Sequence, residues 1–291
     1  MVAVRGAPSQ SRDRELERLR VYLQSRGRSP RTIKSYLRGA RLFLRSYDGS
    51  LDGLTREDLE GHAGALVAAG YSAATVRLWV VSVKVLLAAH GVGTLREFPL
   101  PPRSKRLPAF LTEEEVRRLL WASRGEARDH AIVRTLVYSG LRVSELCALR
   151  VCDLDPDAAT LTVRGGKGGR DRVVVVDADT ARVIAGHISA NNPGRRAEGE
   201  SRIFGVGPVT VERLVRRHAR DAHIDKRVTP HTLRHTMATG LLENGCDIRF
   251  IQKQLGHASL ATTEIYTHVS TQSLKTAYLE HLPRFSPGGA Q

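Results

Sequence analysis

The chain has 291 residues, of which 41% are hydrophobic and 26% charged, and this balance excludes a chain that is disordered throughout. It contains no run of about 18 apolar residues, so the sequence predicts no membrane span, and residues 1–11 lack the apolar stretch of a secretory signal. The three cysteines form no C-x-x-C pair, which favours a reduced, cytoplasmic setting over a disulfide framework.

The formal net charge of +15 is shared along the chain. Residues 1–103 carry a net +8 and residues 104–291 a net +7. A surplus of this size suits a polyanionic partner, and its even distribution favours nucleic-acid contacts from both halves of the chain.

The first part of the chain predicts a small helical domain. We expect residues 1–12 to be flexible and residues 13–95 to form four helices, because apolar residues recur there at helical spacing. Predicted N-caps of the second, third and fourth helices are Ser29, Thr55 and Ser72. The prolines and basic residues of 96–109 then predict a stiff linker.

Residues 110–291 predict a second domain that is mostly helical with a small antiparallel sheet, so the fold class is mainly α (α+β). Thr112 begins the first helix with a capping box, and Gly140 ends a second helix that is apolar on nearly all sides. Two strands are predicted over 160–164 and 171–176, joined by a glycine-rich hairpin. Later helices are predicted at about 179–190, 208–222, 231–244, 247–255, 259–266 and 271–282.

The last predicted helix, 271–282, is amphipathic. Its apolar face comprises Leu274, Ala277, Tyr278 and Leu282. We expect this face to insert into a neighbouring protomer, which makes the segment an interaction helix; the alternative is that it packs on its own domain.

Six side chains in unusual places form a set suited to binding anions and moving protons. They are Arg142, Lys167, His231, Arg234, His257 and Tyr266. Arginine forks match phosphate oxygens, histidine and lysine transfer protons, and tyrosine can form a covalent intermediate. Each residue alone also has an ordinary structural explanation, such as a surface ion pair or a core aromatic.

A zinc site is the competing interpretation of His231, together with the nearby His235. His231 and His235 have the i, i+4 spacing of metal ligands on a helix, but Thr232 stands where the metalloprotease motif has glutamate. No third ligand is evident, so we predict no metal. The glycines around Lys167 do not form a Walker A sequence, and we predict no cofactor.

Four segments together resemble the tyrosine recombinase (phage integrase) family, with a length similar to the Xer type. They are 139–146 (SGLRVSEL), 166–168 (GKG), 231–236 (HTLRHT), and 255–257 (LGH) followed by 262–268 (TTEIYTH), and they occur in the family's order. The resemblance implies the tyrosine recombinase fold for 110–291 and a core-binding DNA-binding domain for 13–95.

The resemblance also implies roles at the site. Arg142 and Arg234 hold the scissile phosphate with His231 and His257, while Lys167 is the general acid. Tyr266 matches the nucleophile that forms a 3′-phosphotyrosyl link, and Glu145 matches an acidic residue that supports the pocket. The further DNA-binding residues are predicted to be Arg103, Lys105 and Arg106 of the linker and Arg170 and Arg172 of the hairpin.

The expected function is site-specific DNA recombination through a Holliday junction, without metal or ATP. The expected partner is double-stranded DNA with an inverted-repeat site, bound by a tetramer of this chain alone or with a related recombinase at the nucleoid. Whether a DNA translocase assists stays open. The alternatives are a type IB topoisomerase and a non-catalytic DNA-binding protein.

Overall fold

The computed structural model describes residues 9–93, 98–100, 109–165, 171–191, 201–256 and 271–283, apart from the side chains of 9–11 and 271–274. These residues form twelve α-helices and a small antiparallel sheet, which confirms the predicted mainly α class. The chain divides into two compact units, Met1–Arg106 and Leu107–Gln291. Among the described helices, none is both long enough and apolar enough to cross a bilayer.

The first unit is built from four helices around one apolar core. Their bounds are α1 Ser9–Ser25, α2 Pro30–Ser46, α3 Arg56–Ala68 and α4 Ala73–Ala89. Ser29, Thr55 and Ser72 are the N-caps, each accepting a hydrogen bond from the backbone N–H three residues later. These caps satisfy amides that would otherwise lack partners at the helix start.

Helix α1 begins at Ser9, earlier than the expected start of the helical domain at residue 13. The cause is a tertiary contact. The Arg12 guanidinium donates to the Asp48 carboxylate at 2.7 Å and to the Tyr47 carbonyl at 3.3 Å, which holds the first turns of α1 against the end of α2.

The second unit contains eight described helices and three strands. The helices are α5 Glu113–Ala122, α6 Ala127–Ser139, α7 Val143–Ala148, α8 Ala178–Asn191, α9 Pro208–Asp221, α10 Pro230–Glu243, α11 Ile248–Leu255 and α12 Thr271–His281. Helix α6 lies in the centre, and Ala131, Ile132, Val133 and Leu136 are fully buried. The helix predicted at 259–266 lies outside the described residues.

The sheet has the order β1-β2-β3 and is antiparallel throughout. Its strands are β1 Leu154–Asp155, β2 Thr160–Val163 and β3 Arg172–Val175. In the β2–β3 register Leu161 lies opposite Val174 and Val163 lies opposite Arg172. The sequence predicts β2 and β3 but not β1, because a strand of two residues is too short to show an alternating pattern.

Helix α12 packs on its own unit in the single chain, and its insertion into a neighbouring protomer remains a prediction. Tyr278 is 1% exposed and lies in an apolar cluster with Val175, Leu241 and Ile251. Its hydroxyl donates a hydrogen bond to the Tyr138 carbonyl at the end of α6. The apolar face that suggested a partner surface is therefore used within the chain, although the side chain of Leu274 lies outside the described residues.

The packing of α12 gives a stability prediction. Tyr278→Ala should lower the free energy of unfolding by about 3 kcal/mol or more, because it removes a buried ring and its hydrogen bond to the Tyr138 carbonyl. Leu279→Ala, at the exposed neighbouring position of the same helix, should change it by less than about 0.5 kcal/mol. Urea-induced unfolding of the full chain measures both, and equal effects would contradict the packing described here.

Candidate active site

The site begins where α6 ends. Gly140 adopts the left-handed conformation (φ 64°), and a Cβ added there would lie 2.7 Å from Cδ2 of Leu255. Glycine is required by both the backbone angle and the space. The turn delivers Arg142 to the N-cap of α7, with about a third of its side chain exposed.

Glu145, in the first turn of α7, fixes Arg142. Its carboxylate accepts the Arg142 backbone N–H at 2.8 Å and the Arg142 guanidinium at 2.8 Å. The same carboxylate accepts two bonds from Arg172 of β3, at 3.0 and 2.9 Å. One buried carboxylate therefore joins two arginines that are 30 residues apart in sequence.

Arg172, which the sequence predicts to contact DNA, lies in an ion pair within the unit, and its DNA contact remains a prediction. Its side chain is 13% exposed and is occupied by the bidentate pair with Glu145. The two parallel charge-assisted bonds hold the guanidinium inside the unit, away from solvent.

The ion pairs determine the charge state of Glu145. Burial by itself raises the pKa of this carboxyl, but the hydrogen bonds from Arg172 and from the Arg142 backbone outweigh burial and hold the pKa at about 2. Glu145 is therefore ionised at neutral pH.

Arg234 of α10 is buried, with 5% of its surface exposed. Its guanidinium donates to the Gly140 carbonyl at 2.6 Å and to the Leu255 carbonyl at 2.7 Å. Burial, and next the positive charge of Arg142, lower the pKa of Arg234 to about 10, so it still carries its charge at neutral pH. Two arginines that the sequence places 92 positions apart thus lie in one site.

The C-terminus of α11 supplies three successive carbonyl acceptors to the arginines. The Gln254 carbonyl accepts from Nε of Arg172 at 3.5 Å, that of Leu255 from Arg234, and that of Gly256 from Arg142 at 3.2 Å. The last carbonyls of a helix have no partner within the helix, and the helix dipole makes this end attractive to cations. Gly256 is left-handed (φ 65°), and a Cβ there would lie 2.6 Å from Nε of Arg172.

The C-terminus of α6 is satisfied in the same way. Its successive carbonyls at Tyr138, Ser139 and Gly140 accept from the Tyr278 hydroxyl, the Gln254 carboxamide and the Arg234 guanidinium, respectively. Arg234 therefore bridges the ends of two helices.

The other predicted site residues fall into two groups, those that the structure describes and those that it does not. His231 lies in the first turn of α10, exposed and three residues before Arg234. Outside the described residues lie Lys167, His257, Tyr266, Arg103, Lys105, Arg106 and Arg170. Their roles remain predictions, although His257 directly follows Gly256 in the chain.

The described residues include one group with the spacing of metal ligands, and it does not contain His231 or His235. The group is Glu126, Asp129 and His218. The Arg217 guanidinium already lies 2.6 Å from both carboxylates, so a protein cation fills the position between them.

Comparison with known proteins identifies the family. Residues 109–273, more than half of the chain, match the model of the phage integrase family. The chain belongs to the phage integrase family and is a Xer-like tyrosine recombinase. Tyrosine recombinase XerA of Pyrococcus furiosus is 38% identical over 277 residues, covering 91% of this chain and 93% of the relative. Tyrosine recombinase XerD of Listeria monocytogenes is 32% identical, covering 91% and 97%.

Solved structures support the fold of this tyrosine recombinase. A crystal structure of XerA recombinase is 35% identical, with a TM-score of 0.50, and the match covers 94% of this chain and 99% of that one. A lambda integrase dimer bound to a core site has a TM-score of 0.68 at 20% identity, covering 87% and 98%. The second likeness shows the fold alone, and the predicted tyrosine recombinase fold is confirmed.

Sequence reasoning missed one residue that joins these elements. Gln254 reads as an ordinary helix position, yet its side chain is 1% exposed and hydrogen-bonded to two other elements. The only sequence signal for Gln254 is a weak one: a polar residue next to the apolar positions of a short helix.

The depressed pKa of Glu145 gives a prediction on acid stability. Its folded-state pKa of about 2 lies below the ordinary value of 4.5, so its ion pairs stabilise the fold above about pH 4.5, and this contribution is lost as the pH falls towards 2. At pH 7, Glu145→Gln should lower the free energy of unfolding by on the order of 2–3 kcal/mol. The difference from the unsubstituted protein should shrink between pH 5 and pH 3.

Urea titrations at a series of pH values measure this difference. Glu280→Gln, on the exposed face of α12, is the matched control and should follow the unsubstituted protein at every pH. A Glu145→Gln deficit that stays constant down to pH 3 would contradict the ion-pair explanation.

Proposed function

We propose that this tyrosine-type site-specific recombinase cuts DNA at a phosphate held by Arg142 and Arg234. The observation that carries the proposal is the convergence of two guanidinium groups at the facing ends of α6 and α11. Each guanidinium has five N–H donors, so the bonds to protein carbonyls leave donors for phosphate oxygens.

The local charge supports binding of an anion. Arg142, Arg172 and Arg234 are offset by the single carboxylate of Glu145 within this hydrogen-bonded network. A phosphodiester gains negative charge in the transition state of transfer, and guanidinium groups already fixed in place stabilise it by several kcal/mol. A phosphate would also relieve the repulsion by Arg142 that helps to lower the pKa of Arg234.

The covalent step follows the roles that the family resemblance gives to residues outside the described part of the chain. The Tyr266 hydroxyl releases its proton to water as its oxygen attacks phosphorus, a tyrosyl O–P bond forms, and the bond from phosphorus to the 5′-oxygen breaks. Lys167 donates a proton to that leaving oxygen, while His231 and His257 complete the phosphate pocket. The phosphotyrosyl bond keeps the energy of the phosphodiester, so rejoining requires no ATP. The fixed guanidinium groups stabilise the transition state in place of a metal.

The assembly that we propose is a tetramer on two paired inverted-repeat DNA sites, formed by this chain alone or with a related recombinase. One fold relative is described as a lambda integrase tetramer bound to a Holliday junction, which supports this model. The named relatives are recombinases, and this favours recombination over relaxation by a type IB topoisomerase. We place the reaction at the nucleoid in the cytoplasm, with a DNA translocase as a candidate accessory factor.

The arginine pair gives the first test. Arg142→Ala and Arg234→Ala should each slow cleavage by at least about a hundredfold, and DNA affinity should change by only a few fold. Lysine at either position should not restore the rate fully, because it lacks the guanidinium fork. The measurement is single-turnover cleavage of a nicked suicide duplex selected from the DNA flanking the gene.

Arg182→Ala, on an exposed part of α8, is the matched control and should cleave normally. Wild-type cleavage rates in both the Arg142 and the Arg234 variants would show that the phosphate binds elsewhere.

The nucleophile gives a second, independent test. Tyr266→Phe should form no covalent protein–DNA adduct while it binds the site within a few fold of the unsubstituted protein. Denaturing gels of the suicide-substrate reaction, run with and without EDTA, measure the adduct. An adduct from the phenylalanine variant, or a chelator-dependent loss that zinc or magnesium restores, would refute the proposed chemistry.

A further inference from the structure

We propose that Gln254 is a positioning residue for cleavage, which sets the place of the α11 C-terminus and through it the arrangement of Arg142, Arg172 and Arg234. This inference rests on the proposed function, because it concerns the geometry of the same phosphate site.

The Gln254 carboxamide pairs with β3 as an added strand residue would. Its Oε1 accepts the Val175 backbone N–H at 3.1 Å, and its Nε2 donates to the Val175 carbonyl at 2.7 Å. Nε2 also lies 3.4 Å from the Ser139 carbonyl at the end of α6. A single side chain thus ties α11 to the sheet and to the helix that precedes Arg142.

The backbone of the same residue begins the row of acceptors for the arginines. The carbonyls of Gln254, Leu255 and Gly256 each accept from a different guanidinium. A shift of α11 along β3 would therefore move all three acceptors together, and it would also move His257, the next residue in the chain.

Apolar packing alone does not specify this register. Ile251 and Leu255 of α11 pack in the apolar cluster with Val175, Met237 and Tyr278. Apolar contacts have little directional preference, whereas the paired bonds to Val175 fix the distance and the angle between helix and strand. A methionine would fill nearly the same volume without these bonds.

The test separates positioning from stability. Gln254→Met should slow single-turnover cleavage about ten- to a hundredfold at saturating protein, with the Kd for the site changed less than about threefold, because a displaced guanidinium affects the transition state more than duplex binding. Ser123→Ala is the matched control, since it removes a buried hydroxyl bonded to the Leu120 carbonyl and to His130 at 2.9 Å each. It should lower Tm comparably and leave the cleavage rate unchanged.

A double-mutant cycle distinguishes positioning from a general structural role. If Gln254 acts through the arginines, Gln254→Met should cost much less in an Arg142→Ala background than in the unsubstituted protein. The same fold-loss in both backgrounds would overturn the inference, as would a normal cleavage rate of Gln254→Met. Rates are compared well below the Tm of every variant.

If Gln254→Met does not yield folded protein, Gln254→Asn replaces it, because its carboxamide is one methylene too short to meet both groups of Val175 with α11 in place. A slower cleavage with unchanged Kd supports the proposal, and a normal rate refutes it.

The arginine variants separate this inference from the proposed function. If Arg142→Ala and Arg234→Ala cleave normally, the proposed function fails. If they are defective while the Gln254 variants are normal, only this inference fails.

Discussion

The second unit depends on one electrostatic constraint, which is that two helices, α6 and α11, end at the same place. Each helix end presents successive carbonyls that accept hydrogen bonds from side chains, and two such ends repel each other. The Arg234 guanidinium lies between them and bonds to Gly140 on one side and Leu255 on the other. A buried cation is thereby the link that lets the two helices meet.

The other arginines follow from that arrangement. Three like charges in a small volume are unfavourable. Burial first, and then the charges of Arg142 and Arg172, lower the pKa of Arg234. Glu145 reduces the repulsion by pairing with two of them, and its own pKa falls to about 2 as a result. Gly140 and Gly256 are both left-handed, and a Cβ would meet the Leu255 side chain at position 140 and the Arg172 side chain at position 256.

Most of the helix boundaries could be predicted from local sequence, because helix caps and helix-ending glycines act over three or four residues. The caps at Ser29 and Thr112 and the stop at Gly140 are of this kind. The contacts that local patterns do not reveal join distant segments: Gln254 pairs with Val175, 79 positions away, and α12 reaches the end of α6 through the Tyr278 hydroxyl. An amphipathic face shows that α12 must be covered, but it does not show by which chain. For the same reason a basic residue such as Arg172 can read as a DNA contact and be held by an internal carboxylate.

The way in which Arg234 is held has a consequence for recognition. Its two bonds at the helix ends go to peptide carbonyls, which are neutral dipoles. A carboxylate would orient a guanidinium equally well, but it would cancel the charge and would have to be displaced by an incoming anion. Carbonyl dipoles aim the guanidinium without consuming its charge. The Arg234 side chain is therefore held in place and keeps its full positive charge. An incoming anion does not have to displace a carboxylate from it.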